Sequence, residues 1–71
     1  MHKLLLEING EAREVPGRTN LHELLNHLSL APERLAVELN GKVIRRPDWS
    51  DTLLNDGDRV EIVHFVGGGR E

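Results

Sequence analysis

Two Asn-Gly dipeptides, at residues 9–10 and 40–41, most constrain what this chain of 71 residues can fold into. Asn-Gly between short apolar segments is a strong signal for a two-residue turn that joins antiparallel strands. The strands predicted around the two turns are residues 4–8, 11–15, 35–39 and 42–44. Whether the first turn is type I′ or bulged decides which face Ala12 and Val15 occupy, and the sequence leaves that register open.

One helix is predicted between the two hairpins. Leucines at positions 21, 24, 25 and 28 fall at i, i+3, i+4 and i+7, which is a narrow apolar stripe. Asn20 followed by Glu23 forms a potential capping box, with Thr19 as a competing cap. Pro32 predicts the end of the helix. A helix of about ten residues is marginal alone, so it must pack on a sheet.

The rest of the chain predicts one more strand. Residues 45–54 look irregular, with Trp49 as an apolar anchor. Residues 55–58 are a dense turn signal. Residues 59–66, which are rich in Val, Ile and Phe, are predicted to form a strand. The order strand, strand, helix, strand, strand, strand predicts an α+β fold. The most economical version is a β-grasp roll, a mixed sheet of about five strands with one main helix on one face. We therefore expect a single domain over residues 1–66 and a flexible, glycine-rich tail over residues 67–71.

Composition and charge exclude several classes of protein. Nine Lys and Arg against twelve Asp and Glu give a net charge of -3, which does not favour nucleic acid or anionic membrane as a partner. The chain has no cysteine, so disulfides, thiolate metal sites and Cys nucleophiles are excluded within it. His22 and His27 are five residues apart on the helix and cannot share a metal on one face. We expect a cytoplasmic protein with no metal site.

No internal pattern indicates catalysis. Asp56 and Asp58 flank Gly57, which is typical of a turn rather than of paired catalytic carboxylates. Three glycines, residues 67–69, follow an apolar strand directly. A run of glycines can thread a narrow channel and let reagents approach the backbone closely. Such a tail presents a carboxylate that another enzyme could activate as an acyl adenylate, so we expect a substrate of enzymes and not an enzyme.

Several residues carry a resemblance to a known family. They are Asn40, Arg46, Trp49, residues 56–58, residues 60–66 and the glycines that follow. In these positions the chain resembles the ThiS family, the sulfur carriers of thiamine thiazole biosynthesis within the ubiquitin-like β-grasp superfamily. It is also similar to the small subunit of molybdopterin synthase, but Arg46 and Trp49 favour ThiS.

The resemblance implies a chemistry for the tail. A ThiF-like adenylating enzyme would use ATP to activate the carboxylate of Gly69, and a sulfur donor would convert it to a thiocarboxylate, a C-terminal 1-thioglycine. A ThiG-like thiazole synthase would receive the sulfur. Gly67 and Gly68 would thread the partner active sites, and no cofactor would be bound by the carrier itself. Members of the family end at the last glycine, whereas Arg70 and Glu71 follow it here and would displace the free carboxylate by roughly 7 Å. Either a protease trims the chain after Gly69 or the tail is not used in this way, and we hypothesise trimming.

A docking surface is predicted from alternation along the last strand. Val60, Ile62 and His64 share one face, and Val63 and Phe65 share the other. If the first set faces the helix, Val63 and Phe65 form an exposed apolar strip that leads into the tail, with Arg46 as a basic contact. The alternatives are that curvature of the roll buries Phe65 and that Arg46 is only solvated.

Three other functions stay open at this point. The chain could be a molybdopterin-type sulfur carrier or a ubiquitin-like protein modifier. A different class is a non-covalent β-grasp interaction module whose tail is unused.

Overall fold

A computed structural model of the chain describes residues 2–65. The strands are β1 (Lys3–Ile8), β2 (Glu11–Pro16), β3 (Leu35–Leu39), β4 (Lys42–Ile44) and β5 (Arg59–His64), and the helix is α1 (Leu21–His27). Two 3₁₀ turns, Pro32–Arg34 and Arg46–Asp51, lie between them. The strands form one sheet in the order β2-β1-β5-β3-β4, in which only β1 and β5 pair in parallel. This mixed sheet with one main helix confirms the predicted α+β, ubiquitin-like β-grasp fold.

Both predicted hairpins are present, and both turns are type I′. Asn9 and Gly10 have φ of 50° and 85°, and Asn40 and Gly41 have φ of 53° and 86°. A type I′ turn needs positive φ at both central residues, which Asn and Gly tolerate. The tight first turn settles the register left open by the sequence, because it pairs β1 with β2 so that Val15 enters the core.

The core lies between α1 and one face of the sheet. Its fully buried side chains are Leu6, Leu21, Leu24, Leu25, Val37, Trp49 and Val60. Trp49 is an apolar anchor as predicted, and its indole Nε1 donates a hydrogen bond of 2.8 Å to the carbonyl of Ile44. That bond satisfies the one polar atom that burial of the ring would leave without a partner.

The irregular segment after β4 is fixed to the start of the helix. The amide of Leu21 donates to the carbonyl of Thr52 over 3.0 Å, and the amide of Leu54 donates to the carbonyl of Thr19 over 3.0 Å. β5 then begins at Arg59 and ends at His64, so Phe65 lies just outside the strand that was predicted to run over residues 59–66. The predicted tail, residues 67–71, lies outside the described residues.

The start of α1 agrees with the prediction, but the predicted end is wrong. The capping box is present: Asn20 Oδ1 accepts from the amide of Glu23 over 2.8 Å, and Glu23 Oε1 accepts from the amide of Asn20 over 3.1 Å. The helix stops at His27 after seven residues, well before Pro32. Ser29 has φ of 59°, and the amide of Leu30 reaches back 3.1 Å to the carbonyl of Leu25.

The amide of Ser29 also donates to the carbonyl of Asn26 over 3.0 Å. Together the two bonds form a Schellman motif, which usually carries glycine in the left-handed position. Here that position is occupied by Ser29, so the sequence lacks the signal by which the end could be recognised. Residues 28–31, which the prediction assigned to the helix, therefore form a turn and an extended connection.

We expect Ser29→Gly to raise the free energy of unfolding by about 0.5–1 kcal/mol. Glycine removes the steric cost of the left-handed conformation, and this gain exceeds the extra entropy that glycine adds to the unfolded chain. Urea unfolding followed by circular dichroism measures the change. Ser50→Gly is the control, because Ser50 has no positive φ; it should be neutral or destabilising, and a gain as large as that of Ser29→Gly would contradict the argument.

Candidate functional site at strand β5

β5 is the last element before the glycines, and it lies at the centre of the sheet between β1 and β3. Its main-chain groups alternate between the two neighbours. The amide of Asn40 donates to the carbonyl of Arg59 over 2.7 Å, and the amide of Phe65 donates to the carbonyl of Arg34 over 2.8 Å, so the odd-numbered residues face β3. The even-numbered residues face β1, and the amide of Asn9 donates to the carbonyl of Val60 over 2.9 Å.

The two turn asparagines also bind β5 through their side chains. Asn9 Oδ1 accepts from the amide of Ile62 over 2.7 Å, and Asn9 Nδ2 donates to the carbonyl of Ile62 over 3.2 Å. Asn40 Oδ1 accepts from the amide of Arg59 over 2.9 Å, and Asn40 Nδ2 donates to Asp58 Oδ1 over 3.0 Å. We call these two side chains the asparagine clamps. Sequence reasoning identified both residues as turn formers, and Asn40 also as part of the family resemblance, but it missed their contacts with β5.

The acidic turn before β5 has a structural role. Asp58 Oδ2 accepts from the amide of Asn55 over 2.8 Å, and Asp56 Oδ1 accepts from the amide of Leu5 over 2.7 Å. The amide of Gly57, whose φ is 88°, donates to the carbonyl of Leu5 over 2.8 Å. The prediction that these carboxylates belong to a turn is confirmed, and the turn fixes the start of β5 against β1.

The apolar strip predicted on the last strand is exposed. Val63 and Phe65 are 57% and 56% accessible, whereas Val60 on the other face is fully buried. The alternative in which curvature buries Phe65 is therefore wrong. Val43 lies on the same face, since it pairs with Glu38, which in turn pairs with Glu61. Sequence reasoning missed Val43, because a three-residue strand offers no decisive alternation.

The basic residues beside this strip are Arg45 and Arg46. Arg45 follows β4 directly with extended backbone angles of -73° and 149°, and its side chain is exposed. Arg46 is exposed and begins the second 3₁₀ turn. Arg45 was not predicted as a contact, and the docking role of Val63, Phe65 and Arg46 stays a prediction.

Residues 2–65 contain no group of three His, Asp or Glu side chains close enough to hold a metal ion. Over the same residues, no helix has the length and apolar character needed to cross a bilayer. The predicted reactive residue Gly69 and the threading residues Gly67 and Gly68 lie outside the described part of the chain.

The fold and the site define a β-grasp protein whose central strand leads to a run of glycines. The ThiS family model matches residues 6–69, and the chain belongs to the ThiS family. The match ends at the last of the three glycines.

Known relatives agree with this assignment. The sulfur carrier protein ThiS of Bacillus subtilis is 35% identical over 66 residues, which cover 92% of this chain and all of that protein. The crystal structure of the thiamine biosynthesis protein ThiS from Geobacter metallireducens superposes with a TM-score of 0.81 at 40% identity, covering 93% of this chain and 100% of that one.

A thiazole synthase of Magnetococcus marinus is 40% identical over 65 residues, which cover 92% of this chain. The chain spans about a fifth of the length of this synthase and of a second thiazole synthase, from Paramagnetospirillum magneticum.

We expect Asn9→Gly to lower the free energy of unfolding by about 1 kcal/mol, because Ile62 loses two hydrogen bonds while the positive φ of the turn is retained. Amide exchange measured by NMR should quicken at Ile62. The amide of Val63 faces β3 and is not bound by Asn9. Its exchange rate should therefore rise only by the factor that the lower global stability produces. Equal acceleration at both amides would contradict a local role for the clamp.

Proposed function

We propose that this chain is a sulfur carrier of thiamine biosynthesis whose reactive group is the carboxylate of Gly69. The observation that carries the proposal is the position of β5, which runs from the centre of the sheet towards three glycines in a chain of the ThiS family. The match to the relatives named as sulfur carriers extends over 92–100% of the length of each relative, which supports the same role here.

The proposed chemistry occurs on the tail and not on a side chain. A carboxylate oxygen of Gly69 attacks the α-phosphorus of ATP in the active site of a ThiF-like enzyme, and pyrophosphate leaves. A sulfur nucleophile then attacks the acyl carbon and displaces AMP; with hydrosulfide, one C–S bond replaces one C–O bond. The product is a thiocarboxylate, and this chain needs no bound cofactor to carry it. The proposed location of the reaction is the cytoplasm, where ATP is available.

Glycine at positions 67 and 68 suits an extended segment that enters a narrow active site, because no Cβ atom widens it. Arg70 and Glu71 carry long side chains past the reactive carbonyl, and the family match stops before them. We infer that a protease removes both residues before activation.

A ThiG-like thiazole synthase is the proposed recipient of the sulfur. The thiazole synthases that match this chain support the pairing, because a segment similar to the carrier forms a fifth of each of them. The proposed docking surface for the partners is the exposed apolar strip of Val63 and Phe65 together with the exposed Arg46, since the strip lies on the sheet face away from the helix, shortly before the glycines in the sequence.

The trimmed chain, residues 1–69, should support exchange of pyrophosphate into ATP by a ThiF-like enzyme, and the full chain should not. The reason is that only the trimmed chain presents its carboxylate on glycine. Mass spectrometry should then show one oxygen replaced by sulfur when a sulfide source is added.

The control is the trimmed chain with Gly69→Val, which keeps the length but places a branched side chain at the reactive carbonyl. It should exchange far more slowly than the trimmed chain with glycine. If the full chain were adenylated as fast as residues 1–69, processing would not be needed and the role of Gly69 would be wrong. If neither chain is adenylated but deletion of residues 68–71 leaves partner binding intact, the chain is an interaction module instead.

Phe65→Ala should weaken binding to the ThiF-like enzyme by about 1–2 kcal/mol, as removal of a central aromatic contact does. Its own stability should change by no more than about 0.5 kcal/mol, because the ring is more than half exposed. Titration calorimetry measures the affinity. Leu53→Ala is the matched control, since Leu53 is 58% exposed but lies away from the strip; an equal loss in both variants would remove Phe65 from the interface.

A further inference from the structure

We propose that Asn40 is a site of spontaneous covalent modification, at which ring closure with Gly41 and hydrolysis turn the side-chain amide into a carboxylate and loosen the start of β5. The reaction needs no partner other than water. It involves the turn between β3 and β4 and not the tail, so the inference goes beyond the proposed carrier chemistry and does not depend on it.

The chemistry follows from the dipeptide. The main-chain nitrogen of Gly41 attacks Cγ of Asn40 and gives up its proton, and the side-chain nitrogen leaves as ammonia, so one C–N bond forms as another breaks. Water then adds to either carbonyl of the cyclic imide and opens it to aspartate or isoaspartate, with no oxidation or reduction. Glycine favours ring closure, because it has no Cβ atom to hinder the attacking nitrogen.

The chain offers two such dipeptides in closely comparable settings. Asn9 and Asn40 are both exposed, and both have positive φ in a two-residue turn. Each asparagine clamp holds its carboxamide by both the oxygen and the nitrogen. A carboxamide held in this way is not free to rotate towards the next main-chain nitrogen. The reaction therefore proceeds from conformations in which the turn has opened.

The two turns differ in how much structure must open. β2 and β4 are the two edge strands of the sheet, so each turn can open by release of its outer strand. β2 pairs with β1 over six residues and carries the buried Val15. β4 has three residues, of which Lys42 and Val43 are exposed. Local opening costs less free energy where fewer contacts are broken, so the turn at Asn40 opens more often than the turn at Asn9.

The product is destabilising at Asn40 because of Asp58. Asn40 Nδ2 donates to Asp58 Oδ1 over 3.0 Å, and Asp58 Oδ2 accepts from the amide of Asn55. Aspartate at position 40 replaces this donor by an anionic oxygen that faces a second carboxylate. At Asn9 the same change faces the carbonyl of Ile62, which has no net charge, so the loss there is smaller.

Isoaspartate has a further effect, because it adds a methylene to the main chain of the turn. The length of a hairpin turn sets the register of its strands, so this product also disturbs the pairing of β3 with β4. Either product weakens the attachment of the β3–β4 turn to the start of β5.

Peptide mapping of the full chain tests which site reacts. The folded protein is kept in mildly alkaline buffer below its unfolding temperature, beside a sample unfolded in guanidinium chloride. Digestion and mass spectrometry follow the replacement of NH₂ by OH at Asn9 and Asn40.

The unfolded sample gives the intrinsic ratio of the two rates, which includes the effects of Glu11 and Lys42 after the glycines. In the folded chain the ratio of the Asn40 rate to the Asn9 rate should exceed this value by about three- to tenfold. An equal ratio in the two samples, or no reaction at Asn40 in the folded chain, would overturn the proposal.

Asn40→Asp and Asn9→Asp test the consequence, since each variant carries the charge of the product. In urea at low salt, Asn40→Asp should raise the equilibrium constant of unfolding by roughly two- to tenfold more than Asn9→Asp does. Added salt should narrow this difference, because it screens repulsion between exposed carboxylates.

Asn40→Gly is the matched control, because it removes the same donor and suits the positive φ without adding a charge. Its stability should depend less on salt than that of Asn40→Asp. If Asn9→Asp is as damaging as Asn40→Asp at every salt concentration, Asp58 does not distinguish the two sites and the proposed effect on β5 is wrong.

Discussion

Hydrogen bonds from two asparagine side chains to β5 hold the centre of this sheet together. A carboxamide offers the same donor and acceptor as a peptide group, so Asn9 acts as a further residue of β1 at the point where the main chain of β1 has turned back. Asn40 does the same at the other end of β5, where it binds Arg59 and the carboxylate of Asp58. Because asparagine also tolerates positive φ, one residue type makes each turn and fixes the neighbouring strand.

This arrangement divides β5 into two chemically different faces. Val60 and Ile62 face the helix and anchor the strand in the core, whereas Val63 and Phe65 project into solvent. One side of the strand is thus held by burial in the core, and the other leaves apolar surface open to solvent.

Much of the fold could be predicted from the sequence because the decisive signals are local. The Asn-Gly turns give the hairpins, and Asn20 with Glu23 gives the start of the helix. The end of the helix could not be predicted, because Ser29 adopts the left-handed conformation that usually requires glycine.

The clamp between Asn9 and Ile62 joins residues 53 positions apart, and no local pattern in the chain specifies such a contact. The surface was predicted in part. Alternation along β5 is long enough to place Val63 and Phe65, but three residues of β4 could not place Val43.

The strand order has a consequence for the synthesis of this protein. β5 is translated last among the strands, yet it lies in the middle and joins the two hairpins, which pair with nothing else across the sheet. The emerging chain can form each hairpin early, but the sheet closes only when β5 leaves the ribosome. Contacts of such long sequence separation form slowly, so the pairing of β5 with both hairpins decides when the sheet is complete.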